Sequence, residues 1–147
     1  MKEIKISEMI LSDLDEISNI LTTDFDNFWS VSTLESELKN SFSKYIVAKK
    51  ENEIIGFAGV IDTVDRLEIT NIVVKKSYRK NGIGTILLNE LIKIAKEKEK
   101  NEISLEVNSI NLAAIKLYEK NGFKNIGIRK KYYNNTHDAN IMSLILK

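Results

Sequence analysis

The chain of 147 residues has no cysteine, no proline, a single histidine and a net charge of only +1. Without cysteine there is no thiolate zinc site, no disulfide and no cysteinyl acyl-enzyme. A Ser-His-Asp triad would have to use His137, and its setting in the polar run Asn134-Asn135-Thr136-His137-Asp138, which reads as a loop, argues against one. A general nucleic-acid binder shows a marked basic excess, and 22 basic against 21 acidic residues provide none. No apolar run approaches a membrane span, and the opening Met1-Lys2-Glu3-Ile4-Lys5-Ile6 carries no long apolar region. The expectation is a cytoplasmic protein with no membrane and no direct nucleic-acid partner, a monomer or weak dimer. No proline-rich linker, low-complexity tract or internal repeat divides the chain, so residues 1–147 read as one domain. Hydrophobic residues at 43% and charged residues at 29% suit a globular protein large enough to bury a core.

Against these absences stands one dense stretch, Leu67 to Asn121, whose tightest knot is Arg79-Lys80-Asn81-Gly82-Ile83-Gly84. Ahead of it, Leu67 to Val74 is rich in the β-branched residues that suit a half-buried strand. Behind it, Ile83, Leu87, Leu91 and Ala95 recur every four residues, with Gly84, Leu88 and Ile92 beside them, the period of an amphipathic helix. A strand thus feeds a glycine turn that opens a helix. The unpaired N–H groups and the dipole at such a helix start favour an anion such as phosphate, and Arg79 and Lys80 can add positive charge beside a pyrophosphate. It is not a Walker A loop, because Thr85-Ile86 follows Gly84 where Lys-Ser or Lys-Thr is required. Nor is it a dinucleotide fingerprint, because Leu87 stands where a third glycine or alanine belongs. Glycine turns before helices also occur without a ligand, so the motif alone leaves both readings open.

The strand before the knot changes its apolar parity from odd (Leu67, Ile69) to even (Ile72, Val74). Either a bulge near Thr70 or Asn71 restores the inward face and opens backbone groups to a ligand, or the strand is buried on both faces. Parity does not choose between them.

Elsewhere, Lys2 to Ser7 alternates as a first strand. Ser12 can cap a helix with the face Leu14, Ile17, Ile20 and Leu21, ending by Thr23. Phe25 to Ser30 is an aromatic loop, either a hydrophobic staple, which spacing alone favours, or part of a substrate-binding wall. Ser32-Thr33-Leu34-Glu35 has capping-box spacing for a short helix to Asn40. Tyr45 to Lys50 and Ile54 to Asp62 form a hairpin turning at Glu51-Asn52-Glu53. Lys96 to Lys100 reads as a solvated helix end with no function. Ile103 to Val107 alternates as a strand with Glu106 on its polar face. Asn111 can cap a helix holding Ala114, Ile115, Leu117 and Tyr118, which stops at Asn121-Gly122. Strands over Lys124 to Tyr133 and Asn140 to Leu146 complete the chain. Taken alone, Glu106 reads as a solvent-facing strand residue and Tyr118 as a core tyrosine with its hydroxyl at the rim.

The knot, preceded by its strand, resembles the acetyl-CoA pyrophosphate loop of the GCN5-related N-acetyltransferase (GNAT) superfamily. The run Leu105-Glu106-Val107, then Asn111-Leu112-Ala113-Ala114, then Leu117-Tyr118-Glu119-Lys120-Asn121-Gly122-Phe123, is similar to the RimI branch, whose members acetylate the N-terminal alanine of a small-subunit ribosomal protein. Trp29-Ser30, Arg129-Lys130-Lys131-Tyr132-Tyr133 and Asp138-Ala139-Asn140-Ile141-Met142 extend the likeness over nearly the whole chain. The sequence departs from that branch at Phe28, where proline is usual, and at Asn108, where arginine is usual.

The resemblance implies a single α/β (α+β) domain. Its twisted mixed sheet would have helices on both faces and a V-shaped splay between the strands Leu67 to Val74 and Ile103 to Val107. It also implies acetyl-CoA as cofactor and no metal. Main-chain groups of Ile72, Val73 and Val74 would bind the pantetheine arm, Arg79, Lys80, Asn81, Gly82, Ile83, Gly84 and Thr85 the pyrophosphate, and Asn111 would complete the site. Glu106 would be the general base and Tyr118 the general acid, with a main-chain N–H near Val74 steadying the acyl oxygen. Trp29, Tyr132 and Tyr133 would flank a groove for the N-terminal segment of a protein substrate, a ribosomal protein on this reading. The residue types suit the chemistry: a protonated amine must lose a proton to a carboxylate before it attacks, and a departing thiolate must gain one. Acetylation of a small amine such as a polyamine, and CoA binding without turnover, are the alternatives.

Overall fold

A bulge and a splay in the middle of one sheet organise the architecture. The structure, a computed structural model, describes residues 3–18, 31–133 and 137–147, and only the backbone of residues 31 and 131–133. The strands are β1 (Ile4–Glu8), β2 (Ser43–Lys50), β3 (Glu53–Asp62), β4 (Arg66–Val74), β5 (Glu102–Asn108), β6 (Lys124–Tyr133) and β7 (His137–Ile145). They form one seven-stranded sheet in the order β1-β2-β3-β4-β5-β7-β6. Only β4 and β5 pair in parallel; the other neighbours are antiparallel. The helices among the described residues are α1 (Leu11–Ser18), α2 (Val31–Lys39), α3 (Ile83–Glu97) and α4 (Leu112–Lys120), with a 3-10 turn at Lys76–Tyr78.

Strand alternation sends side chains to two separate cores. On one face, Leu87, Leu88, Leu91 and Ala95 of α3 and Tyr118 of α4 pack on Leu67, Ile69, Ile103, Leu105 and Val107. On the other, Leu14 and Ile17 of α1 and Leu34 of α2 pack on Tyr45, Val47, Ile54, Phe57 and Val73. Helices therefore cover both faces, and β2 and β3 are buried between them, which is why their sequences read as continuous apolar runs. The β2–β3 hairpin turns at Glu51 and Asn52, both left-handed at φ 52° and 69°, a twist that matches the flanking strands.

Several local expectations shift. Helix α1 begins at Leu11, with Ser12 inside it; the Ile10 N–H is held instead by the Asp13 carboxylate at 2.9 Å. Asp13 is buried and also pairs with Lys49 at 2.7 Å, tying α1 to β2. The expected continuation of that helix through Ile20 and Leu21 to Thr23, and the aromatic loop Phe25 to Ser30, lie outside the described residues. Helix α2 starts at Val31, so Ser32 and Thr33 are helical rather than capping. His137 and Asp138 belong to β7, not to a loop, because Tyr133 of β6 pairs with His137. Lys98 and Lys100 are not a plain solvated end: they pair with Asp62 at 3.1 and 2.6 Å, and Lys100 donates to the Thr63 carbonyl at 2.6 Å. The Lys100 hydrogen bond, aided by Lys98, holds the Asp62 carboxyl below its ordinary range. That clamp fixes the β3–β4 turn to the end of α3. Among the described residues no helix is long and apolar enough to cross a membrane.

Candidate functional site

Strand β4 carries the site because its two halves pair differently. Its first half pairs with β5 from Arg66↔Glu102 to Ile69↔Leu105, and no pairing continues beyond. On its other edge the register with β3 slips: Val60 faces Ile69 and Gly59 faces Asn71, leaving Thr70 as the extra residue of a bulge. The slip resolves the parity change, since Leu67 and Ile69 before it and Ile72 and Val74 after it all lie on the α3 side, while Val73 joins the opposite core. Lys75 N–H bonds back to the Ile55 carbonyl at 2.8 Å. By antiparallel alternation the main-chain groups of Val74 and Ile72 then point away from β3, into the gap that β5 has left.

The bulge is braced from the far face. Tyr45 passes its ring directly over Gly59, where an added Cβ would stand 2.3 Å from Tyr45 Cζ. Its hydroxyl accepts from Asn71 Nδ2 at 3.2 Å and lies 3.4 Å from Thr70 Oγ1. Burial pushes the Tyr45 phenol up to about 12, so it remains protonated.

Beyond β4, Arg79 to Gly84 fold into a backbone cradle. Lys80 and Gly82 are left-handed at φ 65° and 79°, and Gly82 is the N-cap of α3 with no side-chain cap. For Lys80 that conformation costs roughly 1–2 kcal/mol. The first helical bond runs from Ile86 N–H to the Gly82 carbonyl, so the N–H groups of Ile83, Gly84 and Thr85 have no helical acceptor. Asn81 Nδ2 donates to the Tyr78 and Arg79 carbonyls at 3.2 Å each, and Arg79 Nε donates to the Val74 carbonyl at 3.3 Å, which hold the loop in shape. A side chain at Gly82 would meet nothing within 4 Å, so the chain is open to solvent at the start of α3.

Helix α4 closes the opposite wall. Asn111 caps it, its Oδ1 accepting from Ala114 N–H at 3.2 Å. Leu117 approaches Gly84, 3.4 Å from where a Cβ would stand, so α3 and α4 meet above the slot. Tyr118 is buried against Phe123, ring centroids 5.7 Å apart. Together these elements enclose a cleft of about 680 Å³.

The cleft gathers Ile72, Val73, Val74, Arg79, Lys80, Gly82, Ile83, Gly84, Thr85, Asn111 and Tyr118. Asn81 shapes the loop without lining it. Glu106 does not line it either: it lies on the far face of β5, opposite Leu105 and Val107, where Arg129 Nη2 of β6 pairs with its Oε1 at 2.6 Å. Trp29 lies outside the described residues. Tyr132 and Tyr133 are on β6, and their side chains are outside the description. Sequence reasoning missed Asn71, Tyr78, Ala113, Ala114 and Leu117 as lining residues, and Arg129 as the partner of Glu106. The parity change was a signal for Asn71; nothing local signals an ion pair across 23 positions. Among the described residues no cluster of three or more histidines and carboxylates could hold a metal.

Residues 14–123 match the family described as Acetyltransferase (GNAT) family. A Bacillus subtilis protein named putative ribosomal protein bS18-alanine N-acetyltransferase is 35% identical over 139 residues, 93% of this chain and 92% of that one. A Haemophilus influenzae ribosomal protein bS18-alanine N-acetyltransferase is 39% identical over 107 residues, covering 71% of this chain and 70% of its own. The crystal structure of the ribosomal-protein-S18-alanine N-acetyltransferase from Escherichia coli matches with a TM-score of 0.89 at 30% identity, over 99% of this chain and 95% of that one.

Proposed function

Because the chain belongs to the GNAT acetyltransferase family and is an N-acetyltransferase, we propose that it acetylates the N-terminal alanine of a ribosomal protein by direct attack within a ternary complex. GNAT enzymes use acetyl-CoA, which supplies an acetyl group activated as a thioester. The observation that carries the reading is the single cleft joining the open N–H groups of α3, the unpaired edge of β4 and the Tyr118 ring. An open cradle of backbone donors beside Arg79 and Lys80 suits a pyrophosphate, and an unpaired strand edge suits an amide-bearing arm laid alongside it.

Each residue then has a task. The N–H groups of Ile83, Gly84 and Thr85 hold phosphate oxygens, with Arg79 and Lys80 adding charge. Main-chain groups of Ile72 and Val74 align the pantetheine arm along β4, those of Val73 between them turning to β3 by the same alternation, and Asn111 completes the wall. A main-chain N–H near Val74 donates to the acyl oxygen as it gains charge, a contribution on the order of 3 kcal/mol. Glu106 takes a proton from the incoming ammonium, and Tyr118 gives one to the departing sulfur. Tyr132 and Tyr133, with Trp29, wall the acceptor groove, since an extended peptide terminus calls for hydrogen-bonding and aromatic surfaces. The reading makes this a cytoplasmic enzyme whose partner is a ribosomal-protein N-terminus.

The test is acetyl-CoA turnover against a panel of N-terminal peptides and free polyamines. An alanine-initiated peptide is expected to be the preferred acceptor, with Tyr133→Ala raising its KM while leaving the KM for acetyl-CoA within twofold. Spermidine outcompeting every peptide would overturn the assignment.

A further inference from the structure

Asn71 holds a polar atom that none of the described residues uses. Its Nδ2 donates to Tyr45. Its Oδ1 is buried and has no hydrogen-bond partner among the described residues. An unpartnered buried amide oxygen is costly to a fold, and a donor that arrives with a ligand recovers that cost. The same residue lines the cleft and follows the bulged Thr70.

The strand registers say which ligand could supply the donor. Asn71 projects to the Tyr45 face of the sheet, because it bonds to Tyr45 there. Glu106 projects to that same face, because Ile103, Leu105 and Val107 point to the α3 side. Pairing of β4 with β5 ends at Ile69↔Leu105, so Glu106 on β5 and Asn71 just past the bulge on β4 border the mouth of the splay. A group reaching Glu106 from this face meets Asn71 across the opening.

We propose that Asn71 is a second anchor for the acceptor amine, its Oδ1 accepting an N–H from the nitrogen whose proton Glu106 removes. This rests on the reading that the acceptor enters on the Glu106 face. A protonated amine brings three N–H groups. One proton passes to Glu106, one N–H is held by Asn71, and the lone pair so freed is turned toward the thioester. The new N–C bond forms, the C–S bond breaks and the sulfur takes the Tyr118 proton; the second surplus proton of the nitrogen then leaves to solvent, solvent reprotonates the tyrosinate, and the amide keeps the N–H that Asn71 holds, so Asn71 exchanges none. An amide suits the position better than a carboxylate, because a second negative charge would hold the proton on the nitrogen. The other charged or titratable groups on that face include Arg129, paired with Glu106, Tyr45 with Glu37 near it, Glu102 further along β5, Arg66 paired with Glu68 on β4, and Asp13 of α1 paired with Lys49.

The experiment compares Asn71→Leu and Asn71→Asp with wild type. It reads acetyl-CoA affinity by calorimetry, kcat/KM for an alanine-initiated peptide and the pH profile of kcat/KM. Asn71→Leu is expected to lower kcat/KM for the peptide by roughly tenfold or more, with acetyl-CoA affinity within twofold. Asn71→Asp keeps an acceptor of the same shape and is expected to move the acid limb of the profile to higher pH, since its charge favours the protonated amine. Asn71→Leu with wild-type peptide kinetics overturns the proposal, as does an Asn71→Asp profile that superimposes on wild type, or an equal loss of acetyl-CoA affinity. Should Asn71→Leu fail to fold, the Asn71→Asp profile decides alone. If wild type acetylates polyamines instead of peptides, the peptide assignment fails separately, and the same variants read against that amine still decide the role of Asn71.

Discussion

Glu106 and Tyr118 lie on opposite faces of the sheet, on either side of the splay between β4 and β5. Tyr118 packs with Leu105 and Val107 on the α3 face, whereas Glu106 alternates with them and projects to the face of Tyr45. The splay between β4 and β5 connects the two faces, so an acyl group held from the α4 side can be met by a nucleophile arriving from the other. On the proposed division of roles, the amine arrives at the acyl carbon on the Glu106 side and the sulfur departs from it on the Tyr118 side.

If the two residues divide the proton transfers, Glu106→Gln and Tyr118→Phe should each lower kcat by roughly a hundredfold while acetyl-CoA binding is kept. Rapid-quench turnover across a pH series, paired with calorimetry, separates the two effects. A wild-type rate in either variant removes that residue from the proton path.

Charge in the cradle can be separated from backbone strain. Gly82→Ala and Gly82→Asp both pay for the left-handed φ of 79°, but only the aspartate sets a negative charge beside the open N–H groups at the start of α3. Acetyl-CoA affinity should fall at least tenfold further in Gly82→Asp than in Gly82→Ala, at matched melting temperatures. Equal affinities in the two folded variants would show that no anion sits there.

The bulge depends on a ring passing over a bare backbone. Gly59→Ala would drive a methyl into the Tyr45 ring, and overpacking of this kind costs about 1–3 kcal/mol. A urea melt should register the loss, and in a double-mutant cycle the losses of Gly59→Ala and Tyr45→Leu should be clearly less than additive, because the clash is absent once the ring is gone. Fully additive losses would mean that the damage lies elsewhere.

The Asp62 clamp has a defined pH signature. Its carboxyl is depressed in the folded chain, chiefly by the Lys100 hydrogen bond, so the stability it adds is fully present above the unfolded carboxylate pKa of about 4 and is lost as pH falls through the lower folded value. Because Asp62 is partly exposed, about 1 kcal/mol or less is expected. Asp62→Asn should lower Tm by a few degrees at pH 7, and the gap to wild type should close on acidification below about pH 4. A gap independent of pH would assign the loss to packing.

Reading along the chain was enough for the elements and for much of the cleft. The four-residue period from Ile83 to Ala95, the alternation at Ile103 to Val107 and the cap at Asn111 are local patterns, written by which side of one helix or strand is buried, and each is where it was expected. The parity change between Ile69 and Ile72 was legible for the same reason, although only the register with Gly59 and Val60 chose a bulge over a doubly buried strand. His137 shows the limit: its polar neighbours read as a loop, and pairing with β6 made it a strand.

What the sequence by itself determined is therefore the set of elements, the glycine cradle and the family resemblance, because periodicity and turn chemistry act between residues a few positions apart. Tertiary structure alone decided that β7 lies between β5 and β6, that Arg129 reaches Glu106, that Lys100 clamps Asp62 and that Asn71 keeps an unspent acceptor beside the splay. The ion pairs meet across 23 or more positions, β5 finds β7 across more than 30, and the Asn71 acceptor has no partner among the described residues. A polar side chain carries no local mark of who its distant partner is, and only the closed sheet brings the two together.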